Sequence, residues 1–162
     1  MERRLIVMRH AKSPHDNSTS DHQRPLSERG IKEAQEIAER LVQLGWNPRQ
    51  VISSDALRTR QTWEAMAPFF EHTPEVLFTE SFYLAGVDAI HDALSEISDE
   101  ISDVLLLGHN PGWQSAISYY CGEHHRLTTA NAALLHATAD SWHDVTGAGS
   151  FEFVQLLRPR QI

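Results

Sequence analysis

The sequence has little cysteine, little basic charge and no long apolar run. Cys121 is the single cysteine among 162 residues, which excludes an intrachain disulfide framework and favours a reducing compartment. Lysine and arginine number 14 against 22 acidic residues, for a net charge of −8, so a broad nucleic-acid-binding face is not expected. No apolar run approaches the length that crosses a bilayer. We therefore expect a cytoplasmic protein that binds neither nucleic acid nor membrane.

The length and composition suit one domain. A chain of 162 residues, 41% hydrophobic and 22% charged, is ordinary for a globular protein with one sizeable core. The apolar residues between Arg4 and Arg9 are too few for the core of a signal peptide. We expect residues 1–162 to form a single domain without linkers or repeats.

Strand and helix patterns alternate along the chain. Apolar runs predict strands at Leu5–Met8, Val51–Ser53, Val76–Thr79, Val104–Leu107, Ala132–Thr138 and Phe151–Leu157. Helical spacing predicts helices from an N-cap at Ser27 to Gly45, over Thr59–Phe70, over Val87–Ile97 and from Pro111 to Tyr120. This alternation predicts an α/β fold, a three-layer α/β/α sandwich with a mainly parallel central sheet and an antiparallel C-terminal strand.

Three of the predicted strands are followed by arginine or histidine. Arg9 and His10 follow the first strand, Arg58 follows the second, and His109 follows the most apolar strand. Open α/β sheets bind ligands beyond the carboxyl ends of their strands. Arginine offers a planar, permanently charged fork that matches phosphate oxygens. The pattern therefore predicts an anion pocket at this edge of the sheet.

Four segments occur in an order that resembles the histidine phosphatase superfamily, which has a phosphoglycerate-mutase-like fold. They are Arg9-His10-Ala11, Arg24-Pro25-Leu26-Ser27-Glu28-Arg29-Gly30, Ser53–Thr62 and Gly108-His109-Asn110-Pro111-Gly112. The small size, the Arg24-Pro25-Leu26 segment and the Thr128–Ala132 segment are most similar to the SixA-type phosphohistidine phosphatase branch. Ala11 stands where glycine is commonest in the superfamily.

The resemblance implies a phosphatase that uses no cofactor and no metal. His10 would attack phosphorus through a neutral ring nitrogen and form a phosphohistidine intermediate. Arg9, Arg58, His109 and Arg24 would surround the phosphoryl oxygens. The substrate would be a phosphorylated protein, such as a histidine-phosphotransfer domain. Two alternatives are a small-molecule phosphomonoesterase and a non-catalytic module that binds phosphate or phosphohistidine.

The proton donor for the leaving group is open. Many superfamily members use a glutamate before the third helix, where Glu80 is the nearest acid in this chain, but the local pattern differs. Asp21, just before Arg24, is the other candidate. A protonated imidazole is already a fair leaving group, so a weak donor favours a phosphohistidine substrate. Adjacent histidines such as His124 and His125 do not match the spaced ligand sets of zinc sites, and no metal is expected.

Overall fold

The computed structural model describes residues 1–160. The strands are β1 (Glu2–Arg9), β2 (Gln50–Ser54), β3 (Glu75–Thr79), β4 (Asp103–Gly108), β5 (Ala132–Thr138) and β6 (Glu152–Leu157). The α-helices are α1 (Glu28–Gln43), α2 (Leu57–Met66), α3 (Val87–Ser95) and α4 (Gly112–Cys121). Short 3-10 turns span Asp21–Gln23, Ala67–Phe69, Glu80–Phe82 and His143–Val145. Within these residues, no helix is both long and apolar enough to cross a membrane.

The strands form a single six-stranded sheet in the order β3-β2-β4-β1-β5-β6. The pairs β3–β2, β2–β4 and β4–β1 are parallel, whereas β5 pairs antiparallel with both β1 and β6. The predicted α/β class, the mainly parallel sheet and the antiparallel C-terminal pair are confirmed. The parallel arrangement places the carboxyl ends of β1, β2 and β4 at one edge of the sheet.

Each face of the sheet carries its own apolar core. Leu5 and Val7 of β1 face the core formed with α3 and α4, whereas Ile6 and Met8 face the core formed with α1 and α2. All four side chains are fully buried. A strand covered on both faces has a continuous rather than an alternating apolar pattern, which is why this run could be recognised in the sequence.

Several predicted boundaries were wrong by a few residues. β1 begins at Glu2 rather than Leu5, because the buried Arg3 satisfies its guanidinium with backbone carbonyls and continues the strand. α2 ends at Met66 rather than Phe70, and a 3-10 turn containing Pro68 follows, since proline cannot donate the hydrogen bond that continues an α-helix. The predicted N-cap at Ser27 is confirmed, because its side chain accepts from the backbone N–H of Gly30.

Candidate active site

The three central parallel strands bring two histidines and an arginine together. His10 follows β1, His109 follows β4, and Arg58 lies in the first turn of α2, after β2. All three side chains are buried, and the ring centroids of His10 and His109 lie 5.3 Å apart. The topology therefore joins residues that are separated by about fifty positions in the chain.

His10 is held in one orientation and one protonation state. Its Nδ1 lies 2.7 Å from the carbonyl oxygen of Ala11, which can only accept, so we assign the ring proton to Nδ1 and leave a lone pair on Nε2. The pKa of His10 is lowered to about 3, chiefly by burial; the hydrogen bond to the Ala11 carbonyl opposes this shift, and the positive charges of Arg58 and Arg9 add to it. The ring is therefore neutral at physiological pH, which is the state a nucleophile needs.

Thr62 links the His10 segment to α2. The N–H of Ala11 donates to the Thr62 hydroxyl at 3.0 Å, and that hydroxyl donates to the carbonyl of Arg58 at 2.7 Å. On the other side, the N–H of Ala130 donates to the carbonyl of His10 at 3.0 Å. These bonds fix the backbone of His10 relative to that of Arg58.

His109 leaves one ring nitrogen free inside the site. Its Nε2 lies 2.8 Å from the hydroxyl of Ser54, which also accepts from the N–H of Ala56 at 3.2 Å. We assign the Ser54 hydroxyl as donor to Nε2, which places the His109 proton on Nδ1. That nitrogen is buried and has no partner in the described chain. Burial, followed by the neighbouring His10 and Arg58, lowers the pKa of His109 to about 3.

Two arginines add positive charge with unused donors. Arg58 is buried and binds Asp21 twice, through Nη1 to the backbone carbonyl at 2.7 Å and through Nη2 to Oδ2 at 3.1 Å. Arg9 is half-buried and donates from Nη1 to the carbonyl of Leu127 at 3.2 Å. Burial and the nearby Arg58 lower the pKa of Arg9. In both arginines Nε is buried without a hydrogen-bond partner among residues 1–160.

Asp21 and Arg24 close the site from the loop before α1. The Asp21 carboxylate accepts from Tyr83, Arg58 and Arg24, the last through Nε at 3.2 Å. Arg24 also donates to the carbonyl of Ser13 at 3.0 Å, which ties the loop to its own beginning. The hydrogen bond from Tyr83, followed by the two arginine charges, lowers the pKa of Asp21 to about 2. Asp21 is therefore ionised at neutral pH in this state of the site.

Glu80 lies apart from this group. It is exposed in the turn after β3, and its carboxylate makes no hydrogen bond to any described residue. Tyr83, three residues later, is the member of this segment that lies in the site. Its ring meets His109 edge-on at 5.5 Å and lies 5.9 Å from the Arg58 guanidinium carbon.

Sequence reasoning missed three contributors. Ser54 and Thr62 lie within the Ser53–Thr62 segment that resembles the superfamily. Their hydroxyls bond His109 and the N–H of Ala11, but in that segment only Arg58 was predicted to lie in the site. Tyr83 was missed because only acids were considered after β3. The available signal was its position, since an aromatic residue just beyond the carboxyl end of a parallel strand lies at the ligand-binding edge.

Three side chains of the kinds that bind metals lie together outside the site around His10. At the end of α4, Cys121, Glu123 and His125 place one ligand atom each within 4.8 Å of one another. Thiolate, carboxylate and imidazole are the ligand types that zinc takes. The group is at the opposite end of α4 from His109, so it does not belong to the site around His10.

Comparison with known proteins agrees with the geometry. The family model described as histidine phosphatase superfamily (branch 1) matches residues 5–80, which include His10, Asp21, Arg24 and Arg58. An uncharacterized chloroplastic protein of Arabidopsis thaliana is 39% identical, over 98% of this chain and 79% of its own length. The chain belongs to the histidine phosphatase superfamily. The match ends before His109, which joins the site through β4.

Solved structures extend this likeness to the whole fold. The SixA protein of Nakamurella multipartitia superposes with a TM-score of 0.86 at 24% identity, covering 98% of this chain and 97% of its own. A protein histidine phosphatase SixA complexed with tungstate superposes with a TM-score of 0.82 at 23% identity, covering 96% of this chain and 97% of its own. At these identities the superpositions establish the superfamily fold, and the substrate is a separate question.

Proposed function

We propose that this protein is a phosphatase that removes the phosphoryl group from phosphohistidine in a protein, through a phosphorylated His10. The observation that carries the proposal is the neutral, oriented His10 facing a pocket of arginine donors. Nδ1 is fixed on the Ala11 carbonyl at 2.7 Å, so the lone pair of Nε2 is available for attack. Arg9 and Arg58 each keep a buried Nε without a partner in the described chain, which is the donor set that a phosphoryl group needs.

In the first step, Nε2 of His10 attacks phosphorus while the N–P bond of the substrate breaks. If the substrate ring carries a proton on its other nitrogen, it leaves as neutral imidazole and takes its electron pair. His10 then carries the phosphoryl group and a positive ring, and its Nδ1–H still donates to Ala11. Arg9, Arg58 and the free Nδ1–H of His109 bind the transferring oxygens.

In the second step, water attacks the phosphorus of phospho-His10. The new O–P bond forms as the N–P bond breaks, the ring regains its lone pair, and dihydrogen phosphate leaves. Charge and protons balance without a metal or cofactor, and we propose that none takes part. Arg9 and Arg58 keep their places in both steps because α2 and β1 hold their backbones.

The state of the acids supports phosphohistidine over a phosphate ester. An alkoxide needs a proton as it leaves, whereas a protonated imidazole does not. Asp21 has a pKa of about 2 and already accepts from three donors, and Glu80 lies outside the site. Asp21 remains the candidate donor for esters, which requires its pKa to rise when the phosphoryl dianion arrives beside it.

The decisive experiment is single-turnover labelling with a phosphorylated histidine-phosphotransfer domain. We expect an acid-labile phosphoenzyme in the native protein, none in His10→Ala, and at least ~10³-fold lower kcat/KM in that variant. His124→Ala, which changes an exposed histidine outside the site, is the matched control. Retained turnover in His10→Ala would overturn the mechanism, and tight binding without any phosphoenzyme would instead indicate a non-catalytic module.

A second measurement separates the substrate classes. We expect kcat/KM for the phosphorylated domain to exceed that for p-nitrophenyl phosphate and for sugar phosphates. Asp21→Asn removes the candidate donor and keeps the shape of the side chain. We expect it to impair ester hydrolysis more than phosphohistidine hydrolysis. Equal or better activity on sugar phosphates would make the protein a small-molecule phosphomonoesterase.

A further inference from the structure

We propose that a second anion-binding site next to His10 receives acidic side chains that flank the phosphohistidine of the protein substrate. This inference rests on the proposed function and names the kind of protein surface that it acts on. The site is a pocket of about 260 Å³, which we call the basic pocket. Its main residues are Lys12, Arg29, Arg126, Thr128, Thr129 and Arg158.

The basic pocket concentrates positive charge in an acidic protein. The chain has 14 lysines and arginines and a net charge of −8, yet four of those cations line this one pocket. Its single carboxylate, Glu33, pairs with Arg29 at 3.5 Å. Lys12, Arg126 and Arg158 are exposed and make no ion pair with any of residues 1–160. Clustered, unpaired cations raise the local potential and attract anionic groups.

Both walls of the pocket are bonded to the segment that carries His10. On one wall, the carbonyl of Lys12 accepts from the N–H of Ser27 at 2.9 Å, at the start of α1. On the other, the N–H of Ala130 donates to the carbonyl of His10 at 3.0 Å, and the N–H of Arg9 donates to the carbonyl of Asn131 at 3.1 Å. The basic pocket therefore adjoins the backbone segment that carries His10.

The pocket also has hydrogen-bonding capacity that the fold does not use. The hydroxyls of Thr128 and Thr129 make no hydrogen bond within the described residues. The side chain of Asn131, which also borders the pocket, is buried, and neither its nitrogen nor its oxygen has a partner in residues 1–160. Buried amides are normally satisfied by protein, water or ligand. Cations with spare hydroxyl and amide groups suit carboxylates.

An acidic protein surface fits this pocket better than a second small anion. All four of its cations are exposed on long side chains, and they come from four separate segments, so they can follow a protein surface rather than enclose one ion. Their attraction acts over about 8–10 Å at ordinary ionic strength, which spans neighbouring side chains of a partner.

The test compares two substrates that differ in charge alone. One is a phosphohistidine-bearing domain with aspartate or glutamate beside the phosphorylated histidine, and the other has the matching amides. For the native protein we expect kcat/KM at least tenfold higher for the acidic substrate. In a Lys12→Gln, Arg126→Gln, Arg158→Gln variant we expect this ratio to approach one. A general loss of activity cancels in the ratio.

Arg49→Gln is the control, because Arg49 is exposed just before β2, at the opposite edge of the sheet. It should keep the native preference. If the preference for the acidic substrate survives in the triple variant, or is missing in the native protein, the proposed role of the basic pocket is overturned. If neither substrate is turned over, the proposed function fails instead.

Titration of the same unphosphorylated domains into His10→Ala still tests the pocket, since the acidic domain should bind more tightly and the difference should shrink with salt. Equal binding would again reject it.

Discussion

Arg3 and Arg58 are both buried arginines, and they lie at opposite edges of the same sheet. Arg3, near the start of β1, is 0% exposed, and Arg58, after β2, is 2% exposed. Arg3 donates to four backbone carbonyls at 2.7–3.2 Å, those of Asp99, Ile101, Ala139 and Asp140. Arg58 binds only Asp21, and its Nε is buried without a partner in the described chain.

The difference shows that burial alone does not reveal what an arginine does. A guanidinium whose donors all meet carbonyls fastens loops together, because each buried donor must be satisfied. A guanidinium with spare donors, placed beside Arg9 and two neutral histidines, can still bind an anion, as the proposed function requires. On the proposed function, the Arg3 end of the sheet serves stability and the Arg58 end serves binding.

The strongest test of this contrast is Arg3→Ala. Removing the side chain takes the side-chain donor from three of the four carbonyls, since that of Ile101 still accepts from the indole N–H of Trp142 at 2.7 Å, and opens a cavity against Trp142. We expect the free energy of unfolding to fall by roughly 3–5 kcal/mol. Urea denaturation measures it, and phosphatase activity per folded molecule should be preserved. A stable but inactive variant would reverse the assignment of Arg3.

The complementary test is Arg58→Ala. If Arg58 binds the phosphoryl group as proposed, its loss should lower kcat/KM by 10²–10³-fold, or about 3–4 kcal/mol. Arg58→Lys should not restore activity, because an ammonium lacks the planar fork. The free energy of unfolding should change little, since removal also relieves repulsion with Arg9. A large loss of stability without loss of kcat would show that Arg58, like Arg3, serves to stabilise the fold.

A smaller expected effect is the pH dependence of stability that the two histidines give to the His10 end of the sheet. The folded pKa of His10 and of His109 is about 3, below the unfolded value of 6.5, so the unfolded chain binds protons that the folded chain does not. Their contribution to stability is complete above pH 6.5 and is lost progressively as pH falls toward 3. Between pH 7 and 5 we expect a loss of roughly 2 kcal/mol per buried histidine.

In His10→Gln, the unfolding free energy should therefore fall by roughly 2 kcal/mol less between pH 7 and pH 5 than in the native protein. Chemical denaturation at pH 7 and pH 5 measures the change. His124→Gln, at an exposed position, should keep the native slope. Identical slopes in all three proteins would mean that His10 is not held neutral by burial.

The contrast also explains what the sequence could and could not predict. Val104–Leu107 was identified correctly as a strand because an unbroken apolar run is typical of a strand buried on both faces. Arg3 was placed outside β1 because no apolar pattern marks a buried cation. That His10, Arg58 and His109 lie together could be predicted because each follows a strand of the parallel part of the sheet. Tyr83 also follows a strand, but the place of its side chain depends on a 3-10 turn and a left-handed residue, Leu84, which no apolar pattern indicates.

Because of the strand order, the recovery of activity after denaturation reports on the folding of the central sheet. The groups around His10 come from β1, the start of α2 and the end of β4, which are neighbours in space but distant along the chain. No single hairpin or helix pair contains them, and contacts of such sequence separation are slow to form. Regained turnover after denaturation would therefore mark completion of the central sheet, whereas regained helical signal would mark only local structure.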